Sequence, residues 1–324
     1  MKFSVVIPLY NKERYILRAI SSILNQTHTD FELIVVDDGS TDEGMALVAK
    51  VDDSRVKIVR QRNGGEAAAR NRGIQEATSP YIAFLDADDA WKEDHLSLLA
   101  MLIEDFPDAG LYCTGYRFVE PSGRAKEPRW RNVPERGYVP RYFRSVSEGD
   151  LIATASSVCI PRAVFQQLGL FPVGDRLGAD QDMWARIALR YPLAVDARST
   201  ATYFRDAGDR SCTTIRIDTE LPYLTRLQQA LDSCHFPDEL RADVEAYIRH
   251  GLFSFVSVNV RSGHYETALR LLQDSRLQER GMRFRIWTVL AKLPPSLSGI
   301  TLKIVDAGRT AYRLLGEASG RRHA

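Results

Sequence analysis

Short apolar runs alternate with amphipathic stretches over the first 85 residues, which is the pattern of strand-helix-strand units on a parallel sheet. The amphipathic stretches predict helices, and the apolar runs predict strands, with helices at 12–25 and 67–77 and strands at 3–7, 32–36, 56–59 and 81–85. Because ligands bind beyond the carboxyl ends of the strands in such sheets, the loops that follow these strands are candidate functional segments.

The pattern changes after residue 120. Residues 120–150 are rich in Pro, Gly and Arg, so they predict a long excursion of the kind that is often functional, and we expect residues that recognise a substrate within 112–160. Extended runs resume at 154–160 and 193–204, and helical patterns dominate from about residue 218. We therefore predict an α/β domain at 1–215 followed by a helical region at 216–324.

Length, charge and cysteine usage narrow the class of protein. A chain of 324 residues can form one α/β domain and a smaller second unit. The formal net charge of +1 provides no overall field for nucleic acid, and four scattered cysteines without a C-x-x-C pair argue against a zinc site or a disulfide framework. The sequence shows neither a secretory signal nor a run of about 20 uncharged apolar residues, so we expect a cytoplasmic protein.

The loop after the second strand, residues 37–42, carries acids and hydroxyls. A carboxylate there can accept a hydrogen bond from a uracil-type N–H or a ribose hydroxyl, and Tyr10, at the end of the first strand, can stack on a base. The alternative is local: Asp42 caps a helix, while Gly39 and Ser40 only turn the chain.

Two carboxylates, Asp86 and Asp88, follow the strand predicted at 81–85. At this spacing they can coordinate one hard divalent cation that bridges a diphosphate. The neighbouring Asp89 is expected to cap a helix that begins near residues 91–93.

A glycine turn at 63–65 leads into a helix of small residues that can pack close to the sheet. Arg70, one turn into this helix, could organise the acidic loops or the nucleotide, or it could be an ordinary surface arginine.

Taken together, the motifs at residues 4–11, 35–42, 63–73 and 84–89 resemble, in that order, those of the family 2 glycosyltransferases. The resemblance covers about residues 1–215. It implies the GT-A fold, an α/β nucleotide-binding arrangement with a mostly parallel central sheet. It also implies a non-processive, inverting enzyme that uses a nucleotide diphosphate sugar, with a UDP-sugar favoured, and a divalent metal, Mn²⁺ or Mg²⁺.

The same resemblance assigns site residues. Asp86 and Asp88 would hold the metal, Asp86 would also reach the ribose, and Asp88 the diphosphate. The residues implied to bind the nucleotide sugar are Pro8, Tyr10, Asn11, Glu13, Asp38, Gly39, Ser40, Arg70, Asp86, Ala87 and Asp88.

The family's catalytic acid lies in a pattern resembling G-E-D-x-D-L-W-x-R, which here runs from Gly178 to Arg186. By that match Asp180 is the general base that deprotonates the acceptor hydroxyl. Its ordinary alternative is a helix N-cap or a first-turn acid. The chain departs from the family pattern at Ala179, where Glu is usual, which puts acceptor positioning in doubt.

A second departure follows the extended run at 193–204. Asp206 stands where the family often has a His that reaches the diphosphate or the metal. An Asp can ligate a cation, or it can be an ordinary loop acid. Residues 205–214 are a candidate lid over the donor.

Residues 281–324 carry eight basic and two acidic side chains, a net charge of +6, interleaved with apolar residues. This composition suits amphipathic helices that lie on the anionic inner face of a membrane, in keeping with a saccharide or lipid-linked saccharide acceptor. The alternative is a helical cap with a solvated basic face.

Two other functions compete with transfer. A degenerate protein that only binds a nucleotide sugar is suggested by Ala179. A sugar nucleotidyltransferase would need a glycine-rich triphosphate loop after the first strand, but residues 1–38 contain no Gly.

Overall fold

The computed structural model describes residues 1–175, 177–205, 221–233, 236–277 and 282–292. Within them, ten strands form one mixed sheet in the order β3-β2-β1-β4-β9-β6-β10-β5, with β7 paired to β6 and β8 to β10. The strands are β1 (Phe3–Leu9), β2 (Phe31–Asp37), β3 (Val56–Arg60), β4 (Tyr81–Phe84), β5 (Ala90–Trp91), β6 (Leu111–Val119), β7 (Ala125–Lys126), β8 (Arg136–Tyr138), β9 (Val158–Pro161) and β10 (Leu193–Phe204).

The first four strands of this order, β3, β2, β1 and β4, run parallel to one another. Strand β9 is antiparallel to both β4 and β6, and β10 then returns parallel to β6. The carboxyl ends of β1, β2 and β4 therefore meet at one edge of the sheet, which is where the sequence places its acidic loops. The predicted α/β class is confirmed.

Helices flank the sheet. They are α1 (Ile16–Leu24), α2 (Gly44–Val48), α3 (Glu66–Glu76), α4 (His95–Asp105), α5 (Tyr142–Glu148), α6 (Arg162–Leu168), α7 (Ala179–Ala188), α8 (Pro222–Leu231), α9 (Asp238–Arg261), α10 (Tyr265–Leu271) and α11 (Met282–Lys292). The helix predicted at 12–25 begins only at Ile16, because the preceding residues form a turn in which the Tyr15 N–H donates to the Lys12 carbonyl.

The prediction that Asp89 caps the next helix is wrong. Helix α4 begins at His95, with Asp94 at its N-cap, while residues 90–91 form β5. Asp89 is buried, and its carboxylate accepts hydrogen bonds from Ser156 Oγ (2.5 Å) and the Phe204 N–H (3.1 Å). Asp89 thus joins the end of β4 to two distant segments, and burial and the charges of Asp86 and Asp88 raise its pKa well above the usual value.

The excursion predicted at 120–150 contains ordered elements, namely β7, β8 and α5. Strand β8 pairs antiparallel with β10, and α5 buries Tyr142, Phe143 and Val146. A three-residue strand and a seven-residue helix are too short for periodicity to reveal, because they are stabilised by long-range pairing and packing.

The chain forms two compact units. Of the described residues, the first unit contains 1–205 with 221–247, and the second contains those from 248 onward. The second unit is helical and buries Leu252, Val256 and Trp287. The predicted domain boundary near residue 215 lies outside the described residues and stays a prediction. Within the described part of the chain, none of the helices is both long and apolar enough to cross a membrane.

Strand β1 is the centre of the core, and α3 lies close against it. Phe3, Val5, Val6 and Ile7 are all fully buried. A Cβ atom added at Gly73 of α3 would lie 2.2 Å from Val6 Cγ1, so a side chain at residue 73 cannot be accommodated without movement. Glycine at residue 73 of α3 is therefore required by the close approach of helix and strand.

This contact yields a prediction. Gly73→Ala should destabilise the protein by about 1–3 kcal/mol through overpacking, although alanine is favoured over glycine in a helix by about 1 kcal/mol. Urea unfolding measures the change. In a Val6→Ala background the same substitution should cost less, and Gln75→Ala on the exposed face of α3 is the control. A Gly73→Ala protein more stable than wild type would contradict the packing argument.

Candidate active site

The loops after β1 and β2 are joined through Asn11. Its N–H donates to Ser40 Oγ (3.2 Å), and its side-chain Oδ1 accepts from the Thr41 N–H (2.8 Å). Asn11 adopts a positive φ of 50°, a conformation that Asn tolerates better than most residues. Asn11 and Ser40, both predicted to bind the nucleotide sugar, thus hold the two loops together.

Glu13 makes a second link between the same loops. The Glu43 N–H donates to Glu13 Oε2 (3.0 Å), and the Glu13 N–H donates to Asp42 Oδ2 (2.8 Å). Asp42 also accepts from the N–H of Gly44, the first residue of α2 (3.0 Å). Asp42 therefore has the local role at the start of a helix that was its alternative interpretation, although Glu43 is the N-cap residue.

Asp38 holds the glycine turn that precedes α3. Its carboxylate accepts from Gln61 Nε2 (2.7 Å), the Gly64 N–H (2.9 Å) and the Gly65 N–H (2.8 Å). Asp38 is buried, and a carboxylate offers about four acceptor positions, so three of them are used within the protein. Gly65 has a φ of 86°, which explains why a glycine stands there.

Tyr10 and Pro8 lie at the carboxyl end of β1. The Tyr10 side chain is 47 % exposed, so its ring is available to a ligand, whereas Pro8 is partly buried within the strand. The neighbouring Gly39 has a φ of 75°, and a Cβ atom there would lie 3.0 Å from the Asn63 backbone nitrogen. The loop after β2 therefore lies directly against the residues that begin the glycine turn.

Arg70 is buried at the centre of the site, so the surface alternative for this residue is wrong. Its guanidinium donates to Asp86 Oδ1 (2.8 Å) and also pairs with Glu66. Burial opposes the charge on Arg70, but the carboxylates of Glu66, Asp86 and Asp180 more than offset that effect and raise its pKa. Among the described residues, Arg70 Nε has no hydrogen-bond partner.

Asp86 and Asp88 follow β4, and their side chains are 22 % and 17 % exposed, while Ala87 between them is buried. Burial raises the pKa of Asp86 to about 6; Arg70 opposes the shift, and the charges of Glu66 and Asp88 add to it. The backbone N–H of Asp86 donates to Ser156 Oγ (3.1 Å).

A lysine that the sequence reasoning missed faces Asp88. Lys12 Nζ lies 2.9 Å from Asp88 Oδ2, and Arg18 donates to the Asp88 carbonyl (2.5 Å). Lys12 lies in the loop after β1, two residues beyond Tyr10. Its position there is the signal that could have identified it, since that loop lies beside the loop after β4.

Asp180 is the second residue of α7 and is partly buried. Gly178 is the N-cap of α7, in the left-handed conformation, so Asp180 is a first-turn acid and the capping alternative is wrong. Burial raises the pKa of Asp180; Arg70 opposes this shift and the charge of Asp86 adds to it. The fold thus brings Asp180 into the electrostatic neighbourhood of Arg70 and Asp86, which precede it by about a hundred residues in the chain.

Some predicted features lie elsewhere. Asp206 and residues 206–214 of the candidate lid are outside the described residues. Cys113 and Cys159 are buried free thiols, as expected from their scattered positions. In the residues that the structure describes, no group of three His, Cys, Asp or Glu side chains could by itself hold a metal ion.

The family model for glycosyl transferase family 2 matches residues 4–169, and the chain therefore belongs to that family. An uncharacterized glycosyltransferase of Rickettsia conorii is 34 % identical over 197 residues, which is 58 % of this chain and 30 % of the relative. The succinoglycan biosynthesis protein ExoW of Rhizobium meliloti is 46 % identical over 102 residues, 29 % of this chain and 32 % of that protein. The chain thus spans about a third of these curated relatives.

Solved structures share the fold. The complex of S. aureus TarS 1-349 with UDP-GlcNAc has a TM-score of 0.67 at 17 % identity, covering 89 % of this chain and 88 % of that one. The mannosyltransferase PcManGT of Pyrobaculum calidifontis, in complex with GDP-Man and Mn²⁺, has a TM-score of 0.53 at 18 % identity, covering 89 % and 83 %. The predicted GT-A fold is confirmed.

Proposed function

We propose that this protein transfers a sugar, with inversion and in a non-processive manner, from a nucleotide diphosphate donor to a hydroxyl of a saccharide or lipid-linked saccharide. One observation carries the proposal. Arg70 of α3, Asp86 after β4 and Asp180 of α7 interact electrostatically at the carboxyl edge of the parallel strands. This arrangement supports the assignment of Asp180 as a base close to the acids that we expect to hold a metal and, through it, a diphosphate.

Two side chains support the proposed binding site for the sugar donor, because each has a group that the described part of the protein does not itself use for binding. The exposed Tyr10 ring can stack on a base, and the buried Arg70 Nε lacks an acceptor among the described residues. TarS and PcManGT, which share the fold, are known with UDP-GlcNAc and GDP-Man. We favour a UDP-sugar, because an acid in the loop after β2 can accept from a uracil-type N–H. The residues that the resemblance assigns to the nucleotide sugar remain part of this proposal.

The oxygen ligands that the site offers fit a divalent metal, Mn²⁺ or Mg²⁺. Asp86 and Asp88 offer hard carboxylate oxygens, and two such ligands suffice when diphosphate oxygens and water complete the shell. Lys12 opposite Asp88 shows that a positive charge is accommodated there. A bound cation would supply charge neutralisation for the departing diphosphate.

Asp180 is the proposed general base. It would take the proton of the acceptor hydroxyl as that oxygen attacks the anomeric carbon from the face opposite the diphosphate, and a single displacement of this kind inverts the centre. Burial raises the pKa of Asp180, and a carboxylate with a raised pKa is a stronger base than an exposed aspartate.

Asp180→Asn tests this assignment. The turnover rate should fall about 10²- to 10⁴-fold, because the amide cannot accept the proton. Titration calorimetry should show UDP binding unchanged within about twofold, since the change leaves the donor contacts in place. In the wild type, the rate should fall with acid as Asp180, whose pKa is raised by burial, becomes protonated. The variant's residual rate should keep only the part of that fall that comes from other acids of the site, such as Asp86.

Gln181→Ala, at the next position of α7, is the matched control and should keep its rate. Full activity of Asp180→Asn would contradict the assignment. A wild-type protein that binds UDP-sugars but turns over none of them would favour the degenerate binding protein suggested by Ala179.

The metal proposal can be tested at Lys12. Its ammonium competes with any cation for Asp88, and a partly exposed ion pair is worth about 1 kcal/mol, so Lys12→Met should tighten Mn²⁺ binding about fivefold. Electron paramagnetic resonance of free Mn²⁺ measures the affinity without turnover. Lys57→Met, which removes a separate exposed pair with Glu76, should change nothing. Unaltered Mn²⁺ binding in both Lys12→Met and Asp88→Asn would contradict a cation site here.

We also propose that residues 281–324 attach the protein to the inner face of a membrane. Within the described helix α11, Ile286 and Val289 are 37 % and 58 % exposed, next to the exposed Arg285 and Lys292. Apolar and basic side chains on one exposed surface suit an anionic leaflet.

Vesicle co-sedimentation tests the attachment. Binding to vesicles containing phosphatidylglycerol should weaken as salt rises, and it should be lost after truncation at residue 280. Vesicles of phosphatidylcholine alone are the control. Equal binding by the truncated chain, or no binding by the full chain, would leave the helical-cap alternative.

A further inference from the structure

The segment that presents Asp180 is weakly secured by its own residues. Helix α7 starts at Ala179, and its N-cap residue, Gly178, has the left-handed conformation and makes no side-chain hydrogen bond. In the first turn the Gln181 N–H donates to Asp180 Oδ1 (2.8 Å), but Asp180 is the side chain that has to be positioned, so this contact does not anchor the helix start to the rest of the protein. Asp180 lies in this first turn, so another element must fix it.

That element is α8 (Pro222–Leu231), through Arg226. Arg226 Nε donates to Asp182 Oδ1 (2.5 Å), and the same guanidinium forms an ion pair with Asp175. The two acids stand on either side of Gly178 and Asp180 in the chain. Arg226 therefore ties together both flanks of the turn that precedes the base.

Asp182 is the buried centre of this network, with its side chain only 5 % exposed. Its other oxygen accepts from Arg186 Nε (2.7 Å), and Arg186 in turn donates to the carbonyls of Leu168 (2.5 Å) and Leu170 (2.8 Å). A buried carboxylate needs its partners, and loss of Arg226 removes the ion pair at Asp182 Oδ1 while the pair of Arg186 with Oδ2 remains.

Tyr223 provides a second contact from α8, three residues before Arg226. A Cβ atom at Gly178 would lie 2.6 Å from Tyr223 Cδ1, so the ring rests on the turn itself. Burial and the charge of Asp180 raise the pKa of Tyr223, and they do the same for Tyr142 and Tyr247. Three tyrosines, from α5, α8 and α9, thus lie within electrostatic range of Asp180, and the rings of Tyr142 and Tyr223 both contact that of Tyr247.

We propose that Arg226 is a positioning residue for Asp180, acting through Asp182 and Asp175; this rests on the proposed function, in which Asp180 is the base. Proton transfer requires the base within hydrogen-bond distance of the acceptor hydroxyl, and a displacement of about 1 Å can cost about 100-fold in rate. Helix α8 lies beyond residues 4–169, which the family model matches, so this support comes from a part of the chain that the family motifs do not reveal.

Arg226→Met should lower kcat about 10- to 100-fold and leave the Kd for UDP within about twofold of wild type. Arg226→Lys should restore part of the rate, because a lysine can pair with one of the two acids but cannot bridge both through a planar fork. In the Asp180→Asn background, Arg226→Met should cause no further loss, since a positioning residue has nothing left to position.

Arg198→Met is the matched control. Arg198 pairs with Asp196, another buried aspartate that also contacts a second arginine, Arg136, so its loss imposes a similar penalty away from the base. Hydrogen exchange followed by mass spectrometry gives a readout independent of turnover. Peptides covering residues 177–188 should exchange faster in Arg226→Met and at the wild-type rate in Arg198→Met.

The outcomes separate the two proposals. Unchanged kcat in Arg226→Met, an equal loss in Arg198→Met, or a further loss in the Asp180→Asn background would each overturn the positioning role. Full activity of Asp180→Asn would instead overturn the assignment of the base. If no donor is turned over, the hydrogen-exchange experiment still decides whether Arg226 secures the start of α7. Unchanged exchange there would reject this role of Arg226.

Discussion

The site depends on the charge interactions of the buried Arg70 guanidinium. A charge held away from water must be balanced, and Arg70 is balanced by Glu66, Asp86 and Asp180. Glu66 lies one helical turn earlier on α3, but Asp86 follows β4 and Asp180 belongs to α7. One arginine is therefore balanced jointly by Asp86, which is proposed to serve the sugar donor, and by Asp180, the proposed base.

Around Arg70, polar residues of the family motifs form hydrogen bonds with one another. Asp38 uses three acceptor positions on Gln61, Gly64 and Gly65, and Asn11 joins the loops after β1 and β2. Such residues fix the loops before any ligand arrives, which lowers the entropy cost of binding. The side chains with remaining capacity, such as Tyr10 and Arg70, are then the ones best placed to meet a ligand.

The parts of the fold that sequence predicts are those with a local signal. Strands β1, β2 and β4 are continuous apolar runs, and α3 shows its close packing in its small residues. Asp89 was misassigned because helix capping is a local rule, whereas its partners Ser156 and Phe204 are 67 and 115 residues away in the chain. Arg226 was missed for the same reason, since nothing in its neighbourhood specifies Asp182 as a partner, whereas the position of Lys12 in the loop after β1 could have identified it. Motif order could locate Asp86, Asp88 and Asp180, but it could not show that Arg70 interacts with both Asp86 and Asp180.

The shared arginine also couples the proposed base to the donor acids. The negative charge of Asp86 raises the pKa of Asp180, while Arg70 lowers it. A cation that neutralises Asp86 removes the first effect and leaves the second, so it should lower the pKa of Asp180 and make it a weaker base. A cation bound to the acids after β4 would thus favour the deprotonated form of Asp180. Base strength is reduced to achieve this, and the precise placement of Asp180 by its neighbours becomes correspondingly more important to the rate.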